Sequence, residues 1–411
     1  MNIAIVGGGP AGLRAAEIAV SSGTAVTLFD AKASVGRKFL VAGKGGLNLT
    51  NAAPREQFAA QYSGPEALWN SLLADFDADA LRAWAAGLGV EMFAASTGRV
   101  YPRELKAAPL LRRWVHHLRG LGVKFAVHHR WTGLRREERW QLEFQTPDGL
   151  RTFAADTVIL ALGGGSWPET GSDGAWTTTL ESLGVGIAPL QSANCGWEFP
   201  WPRAVLDVAE GQPLKSIAVR AGESQVRGEL LVTKYGLEGG ALYQLGPKLR
   251  ASPELAIDFK PSSTVEQLVA KMGPIRRNFL AEARTRWKLG DAPFAIVGHV
   301  PEARDWESAA ALAAHVKNCP LRLTGPRPIA EAISSAGGVR WQELDDDLML
   351  CKLPGVFVAG EMIDWEAPTG GYLIHGCFAT GTRAARGALR FHNRTDPSGV
   401  DFRFDKSSHP Q

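Results

Sequence analysis

The sequence predicts an α/β fold in which a parallel-sheet, dinucleotide-binding domain is interrupted by a second, β-rich domain. Three observations predict it. The chain opens on a short apolar strand, a glycine turn and a helix (Asn2 to Ser22), followed by a second apolar run that ends on Asp30. Two further apolar runs, Thr157 to Leu162 and Gly355 to Ala359, end in glycines, as strands covered on both faces of a parallel sheet do. Between them, from about Pro189 to Leu323, short alternating runs give way to polar helical segments.

The opening unit is the most specific. Gly7-Gly8-Gly9-Pro10-Ala11-Gly12 places Gly7, Gly9 and Gly12 in a G-x-G-x-x-G pattern between strand and helix. Gly7 suits the tight turn, Gly9 lets backbone approach a pyrophosphate, and Gly12 lets helix pack on strand. The helix start, through Pro10 and Ala11, then offers free N–H groups and a positive dipole end to phosphate. Asp30 follows Gly12 by 18 residues and, with Ala31, closes the second strand, where a carboxylate can accept both ribose hydroxyls.

Composition bounds the rest. With 411 residues there is room for two or three domains, and a net charge of +3 is too small to argue for nucleic acid or a membrane surface. The first apolar run is five residues long, too short for a signal peptide or a span. Cys195, Cys319, Cys351 and Cys377 stand far apart with no C-x-x-C, which argues against a disulfide framework, a zinc site and a dithiol reductase, and fits a reducing cytoplasm. The pairs His116-His117 and His128-His129 lack a carboxylate or cysteine at ligand spacing, so no metal is expected.

Taken in order, helical patterns run from Pro65 to Leu88 and from Ala107 to Leu121. The runs at Lys124 to Val127, Trp140 to Gln145 and Arg151 to Ala154 read as an antiparallel meander. The insert offers strands at Ser216 to Ala221, Gln225 to Val232 and Glu254 to Phe259. Its helices are expected at Val265 to Met272, Arg276 to Trp287 and Trp306 to Val316. A last helix is expected from Gly376 to Phe391, before a polar tail from Asn393. The domains are therefore expected at 1–189 with 324–411, and at 190–323, of which 190–262 is β-rich and 263–323 mainly helical.

Two strand ends distinguish FAD from NAD. Ala161-Leu162-Gly163-Gly164 has the small-residue and glycine pattern that passes near FAD in two-domain flavoproteins, and Val356 to Glu361 resembles the apolar strand, Ala-Gly-acid element in which the acid meets the ribityl chain or pyrophosphate. Directly after it, Thr369-Gly370-Gly371-Tyr372 leads into a helix. Such an anion cradle would stabilise the charge of reduced flavin at its N1–C2=O edge.

With these residues in place the chain resembles the bacterial BaiN-like, aminoacetone-oxidase-like flavoproteins over nearly its whole length. The likeness is carried by Gly36-Arg37-Lys38, Ala42 to Asn51, Gly98 to Pro102, Gly163 to Pro168, Gly228 to Leu237, Ala336 to Val339 and Gly360 to Tyr372. The resemblance implies a Rossmann-like FAD-binding domain, a β-rich insert and a small helical unit, with the flavin ring near their junction. It adds Arg37, Lys38, Gly45, Asn48 and Thr50 to the expected cofactor contacts. Relatives usually read Ser-Gly-Gly-Gly-Arg-Cys-Asn in that loop. Here Gly46-Leu47 replaces Arg-Cys and a lysine, Lys44, appears in place of a glycine, so the chain resembles a distinct subfamily.

The expected function is hydride transfer between flavin N5 and a small organic substrate, of the enone-reductase or amine-oxidase class. NAD(P)H is a possible transient donor, since no second complete fingerprint is visible. His375, Tyr235 and Lys44 are the candidates for acid–base work; His375 is the natural base because its free pKa lies near neutrality. Cys377 is a weaker redox candidate. Two other readings stand beside this one. An RNA-modifying FAD enzyme would rest on Arg112-Arg113 and Arg135-Arg136, although a solvated face explains these better and no nucleic acid or membrane partner is expected. A non-enzymatic flavin-binding redox protein is the other.

Overall fold

The computed structural model describes residues 1–43, 45–302 and 306–394; Lys44 and the polar tail beyond 394 lie outside the described residues. Five short strands build the nucleotide-binding sheet among these residues: β1 (Asn2–Val6), β2 (Ala25–Phe29), β3 (Lys124–Ala126), β4 (Thr157–Leu160) and β5 (Val356–Val358). They pair in parallel in the order β5-β4-β1-β2-β3. The chain leaves β1 towards β2 on one side and joins β4 on the other. The carboxyl ends of β1 and β4 therefore form a topological switch point, where α/β sheets open a ligand crevice. Every residue of β4 and β5 is buried, which explains their unbroken apolar sequence.

Helix α1 (Pro10–Ser21) starts on Pro10, whose fixed φ suits the first helical turn, and short helix α2 is Arg37–Ala42. Helix α3 (Tyr372–Arg394) begins four residues earlier than the apolar pattern suggests and packs along α1. Gly381 makes that contact possible, since a Cβ there would lie 2.4 Å from the Ala11 carbonyl oxygen. The helical stretch expected over 65–88 is two helices, Glu66–Asp75 and Ala78–Gly87. The break falls at extended Phe76, and the Asp77 carboxylate caps the second helix by accepting from Ala80 N at 2.8 Å.

One assignment is corrected. Lys124–Ala126 does not open the meander but adds a parallel edge strand beside β2, because the preceding helix, Ala107–Gly120, acts as a crossover that returns the chain in β2's direction. His128, at φ 57, turns the chain, and Arg130–Arg136 takes the first place in the meander with Trp140–Thr146 and Gly149–Ala155.

The middle of the chain has its own apolar cluster, running from Cys195 to Ala332, while the first cluster stops at Val185 and resumes at Val339. Its sheet is antiparallel and centred on the hairpin Pro213–Ala221 and Ser224–Thr233. The two passages of chain between the clusters pair with each other, Ile187–Ala193 against Ser334–Val339. Gly337 at φ +88 and Gly338 at φ +128 let that crossing run flush against neighbouring backbone.

Candidate functional site

A cleft opens at the switch point. Gly7, Gly8 and Gly9, the start of α1 at Pro10 and Ala11, Asp30, Ala31, Arg37, Lys38, Gly163, Gly360 and Glu361 all line it. The three fingerprint glycines have different reasons. A Cβ on Gly7, at φ +109, would stand 2.1 Å from the Ala161 carbonyl oxygen, and one on Gly12 would stand 1.9 Å from that of Gly7. Gly9 has open space there, so its missing side chain leaves room for an occupant. The Asp30 carboxylate accepts from Gly8 N at 3.0 Å and Lys32 N at 2.8 Å. Burial raises its pKa above the usual carboxylate value, against the pull of those two N–H groups.

A second chamber, open to solvent on one side, shares Pro10, Lys38, Glu361 and Cys377 with the cleft. Phe39, Ala42, Ile333, Trp365, Leu373 and Ile374 give it apolar walls, and Thr369, Gly370 and Gly371 bring the amino end of α3 to its edge. At the waist between the two spaces, Lys38 Nζ donates to Glu361 Oε2 at 2.8 Å and to Ser166 Oγ at 2.6 Å. Glu361 Oε1 accepts from Ser335 N at 2.8 Å. Burial, reinforced by the Glu361 charge, pushes the Cys377 thiol up to about 12, which favours the protonated thiol near neutrality.

The residues present fit FAD. The cleft supplies a helix start for a pyrophosphate and a strand-end carboxylate for a ribose. The joined chamber is apolar, and beside it Asn48 Oδ1 is buried with no hydrogen-bond partner among the described residues.

Several expected contacts serve the walls instead. Gly164 is packed under Ser335, whose Oγ would lie 1.7 Å from a Cβ. Thr50 is fully buried behind Gly371, and Gly12 faces the β1 turn. Tyr372 sets its ring on Phe58, and Gly45 lines neither space. Of the acid–base candidates, Lys44 lies outside the described residues. Tyr235 belongs to the insert, half-buried under the Arg327 guanidinium at 4.4 Å and away from both spaces. His375 is corrected as a base. It is 1% exposed, both ring nitrogens are hydrogen-bonded, and burial lowers its pKa to about 4. It turns away from the chamber, because α3 presents Leu373, Ile374 and Cys377 there instead.

The sequence missed the wall at the Asp30 end, formed by His129, Arg130 and Trp131 with Gly171, Ser172 and Asp173. Arg130 Nη2 meets Asp173 Oδ2 at 2.7 Å across that wall. Arg130 and Asp173 are 43 positions apart in the chain, and nothing local in the sequence pairs them. Among the described residues no group of three or more histidine, cysteine or acidic side chains could hold a metal.

The family profile of the HI0933-like protein Rossmann domain matches residues 1–387. The chain belongs to this HI0933-like family. Within reach of it stands the 3-dehydro-bile acid Δ(4,6)-reductase of Clostridium scindens, 27% identical, with 94% of this chain and 98% of that protein aligned. The ribosomal RNA dihydrouridine synthase of Escherichia coli is 23% identical over 90% of this chain and 93% of its own. Among solved structures, the 3-ketosteroid-Δ4-(5α)-dehydrogenase of Rhodococcus jostii RHA1 superposes with a TM-score of 0.52 at 15% identity, covering 94% of this chain and 96% of that one. The 3-ketosteroid Δ1-dehydrogenase of Sterolibacterium denitrificans gives 0.53 at 12%, covering 94% and 99%. These two likenesses establish a shared fold. This HI0933-like protein is an FAD-dependent oxidoreductase, and no described helix is long and apolar enough to cross a membrane.

Proposed function

We propose that this HI0933-like protein reduces a carbon–carbon double bond conjugated to a carbonyl in a flat, largely apolar small molecule. The observation that carries this reading is the apolar chamber joined to the dinucleotide cleft at Lys38 and Glu361. Bound FAD supplies hydride transfer at N5. The chain's part is to exclude water with Phe39, Trp365, Leu373 and Ile374, and to aim the α3 amino end and the Gly370–Gly371 turn at developing negative charge. Asn48, together with the paired Lys38 and Glu361, gives the chamber polar groups that orient an occupant. An amine, cationic near neutrality, suits these apolar walls poorly.

The names of the two aligned relatives share a chemistry that supports the reading. One reduces a 3-keto steroid acid and the other a uracil ring, each at a double bond near a carbonyl. That likeness also gives a second reading, reduction of uridine in RNA. The arginines that would favour RNA are partly engaged within the chain. Arg135 bonds Glu137 and Glu143, and Arg113 donates to the carbonyls of Leu88 and Gly89.

The test is anaerobic photometry of the purified yellow protein. NADH or NADPH, docking transiently, is expected to bleach the flavin band. A conjugated ketone such as 4-androstene-3,17-dione then restores it and gains two hydrogens by mass spectrometry. Absence of bound flavin overturns the reading. Reoxidation by uridine-containing RNA but by no conjugated ketone replaces it with the second.

A further inference from the structure

We propose that His375 is a positioning residue that works through Thr50: it fixes the turn Thr369–Gly371 and the amino end of α3 at the edge of the chamber. The inference rests on the reading of that chamber as the flavin site. His375 Nε2 lies 2.9 Å from the Phe76 carbonyl oxygen, which only accepts, so Nε2 carries the ring hydrogen. That leaves Nδ1 as an acceptor, and Thr50 Oγ1 donates to it at 2.8 Å. Thr50 is fully buried, and its backbone forms the seat of the turn. A Cβ on Gly371, at φ +96, would lie 2.4 Å from the Thr50 carbonyl carbon and oxygen, so the two backbones lie flat on each other. Asn51, the next residue, donates from Nδ2 to the Gly370 carbonyl oxygen at 3.3 Å.

The chain of contacts therefore runs from Phe76, through one neutral imidazole with a fixed tautomer, to Thr50 and to the two glycines whose backbone borders the chamber. A neutral ring is required at this place. A doubly protonated ring would present N–H to Thr50 and could not accept its hydrogen. An apolar side chain would leave the Thr50 hydroxyl and the Phe76 carbonyl buried and unpaired. A glutamine supplies both functions, with an amide N–H for Phe76 and a carbonyl oxygen for Thr50.

The experiment uses the full-length flavin-bound protein and three variants: His375→Leu, His375→Gln and Thr50→Val, the last nearly isosteric. The readout is sulfite affinity, followed by bleaching of the flavin band. Sulfite adds its lone pair at N5 and leaves negative charge on the N1–C2=O edge, so its dissociation constant reports the positive potential offered there. We expect that constant to rise about tenfold in His375→Leu and Thr50→Val and to return to within about twofold in His375→Gln, a range consistent with a helix-terminus interaction. Unchanged sulfite affinity in Thr50→Val, or a glutamine variant as impaired as the leucine one, overturns the inference. A wild-type protein without flavin would instead overturn the reading of the chamber.

Discussion

Lys38 Nζ and Glu361 Oε2 meet at 2.8 Å at the waist between the dinucleotide cleft and the apolar chamber. One comes from α2 and the other from the end of β5, 323 residues later, and both side chains are largely shielded from water. Charge-assisted contacts of this kind are worth more than a surface pair. Lys38→Met and Glu361→Gln are each expected to weaken FAD binding about tenfold, or about 1.4 kcal/mol. The double variant should lose less than the sum, because the two act as a unit. Flavin fluorescence titration of the apoprotein measures all three.

Gly7→Ala and Gly9→Ala separate folding from binding. The added methyl of Gly7→Ala has backbone oxygen 2.1 Å away and sits at φ +109, so that variant should lose about 2 kcal/mol or more of stability. At Gly9 the methyl meets no protein atom. Its apoprotein should unfold within about 1 kcal/mol of the wild type while FAD affinity falls, because the methyl occupies the cofactor's space. Urea unfolding of the two apoproteins, with a titration of each, distinguishes them.

Asp30→Asn tests the ribose contact. Burial disfavours the charged carboxylate, but asparagine keeps only one of the two oxygens that accept from Gly8 N and Lys32 N, so the apoprotein should lose about 1 kcal/mol near neutrality. ADP binding, measured by calorimetry, should weaken about tenfold as charge-assisted acceptance is lost. Equal ADP affinity would show that the ribose lies elsewhere.

His375 makes acid stability a readout. Its folded pKa is lowered from 6.5 to about 4 by burial, against smaller opposing effects of the Phe76 carbonyl and Asp77. Between those values the unfolded chain binds a proton that the folded chain does not. Stability is therefore lost as pH falls through this window, by about 3 kcal/mol from this group, and the loss levels off below it. Denaturant unfolding of His375→Gln from pH 7 to pH 4 should show a correspondingly flatter dependence.

The β1 turn was legible because local chemistry dictates it: a strand, three glycines at fixed spacing and an acid at the next strand end need only thirty residues to be read. Glu361 and the Thr369–Gly371 turn were legible for the same reason, each being a short segment whose backbone must do something unusual. The meander was misread at Lys124–Ala126, since a three-residue edge strand has no alternation to give its partner away. His375 was misread because its side chain is defined by Phe76 and Thr50, 299 and 325 positions distant.

By itself the sequence determined the dinucleotide-binding unit, the interrupted parallel sheet and the family, because these rest on periodicity, glycine placement and strand ends. Only the tertiary structure decided which residues face the cleft and chamber and which stand behind them. Gly9, Lys38 and Glu361 line them, whereas Gly12, Thr50, Gly164 and His375 are consumed in packing and hydrogen bonds. The reason is that the direction of a side chain, and the burial that sets its protonation, depend on segments brought together from hundreds of residues apart, which no local pattern encodes.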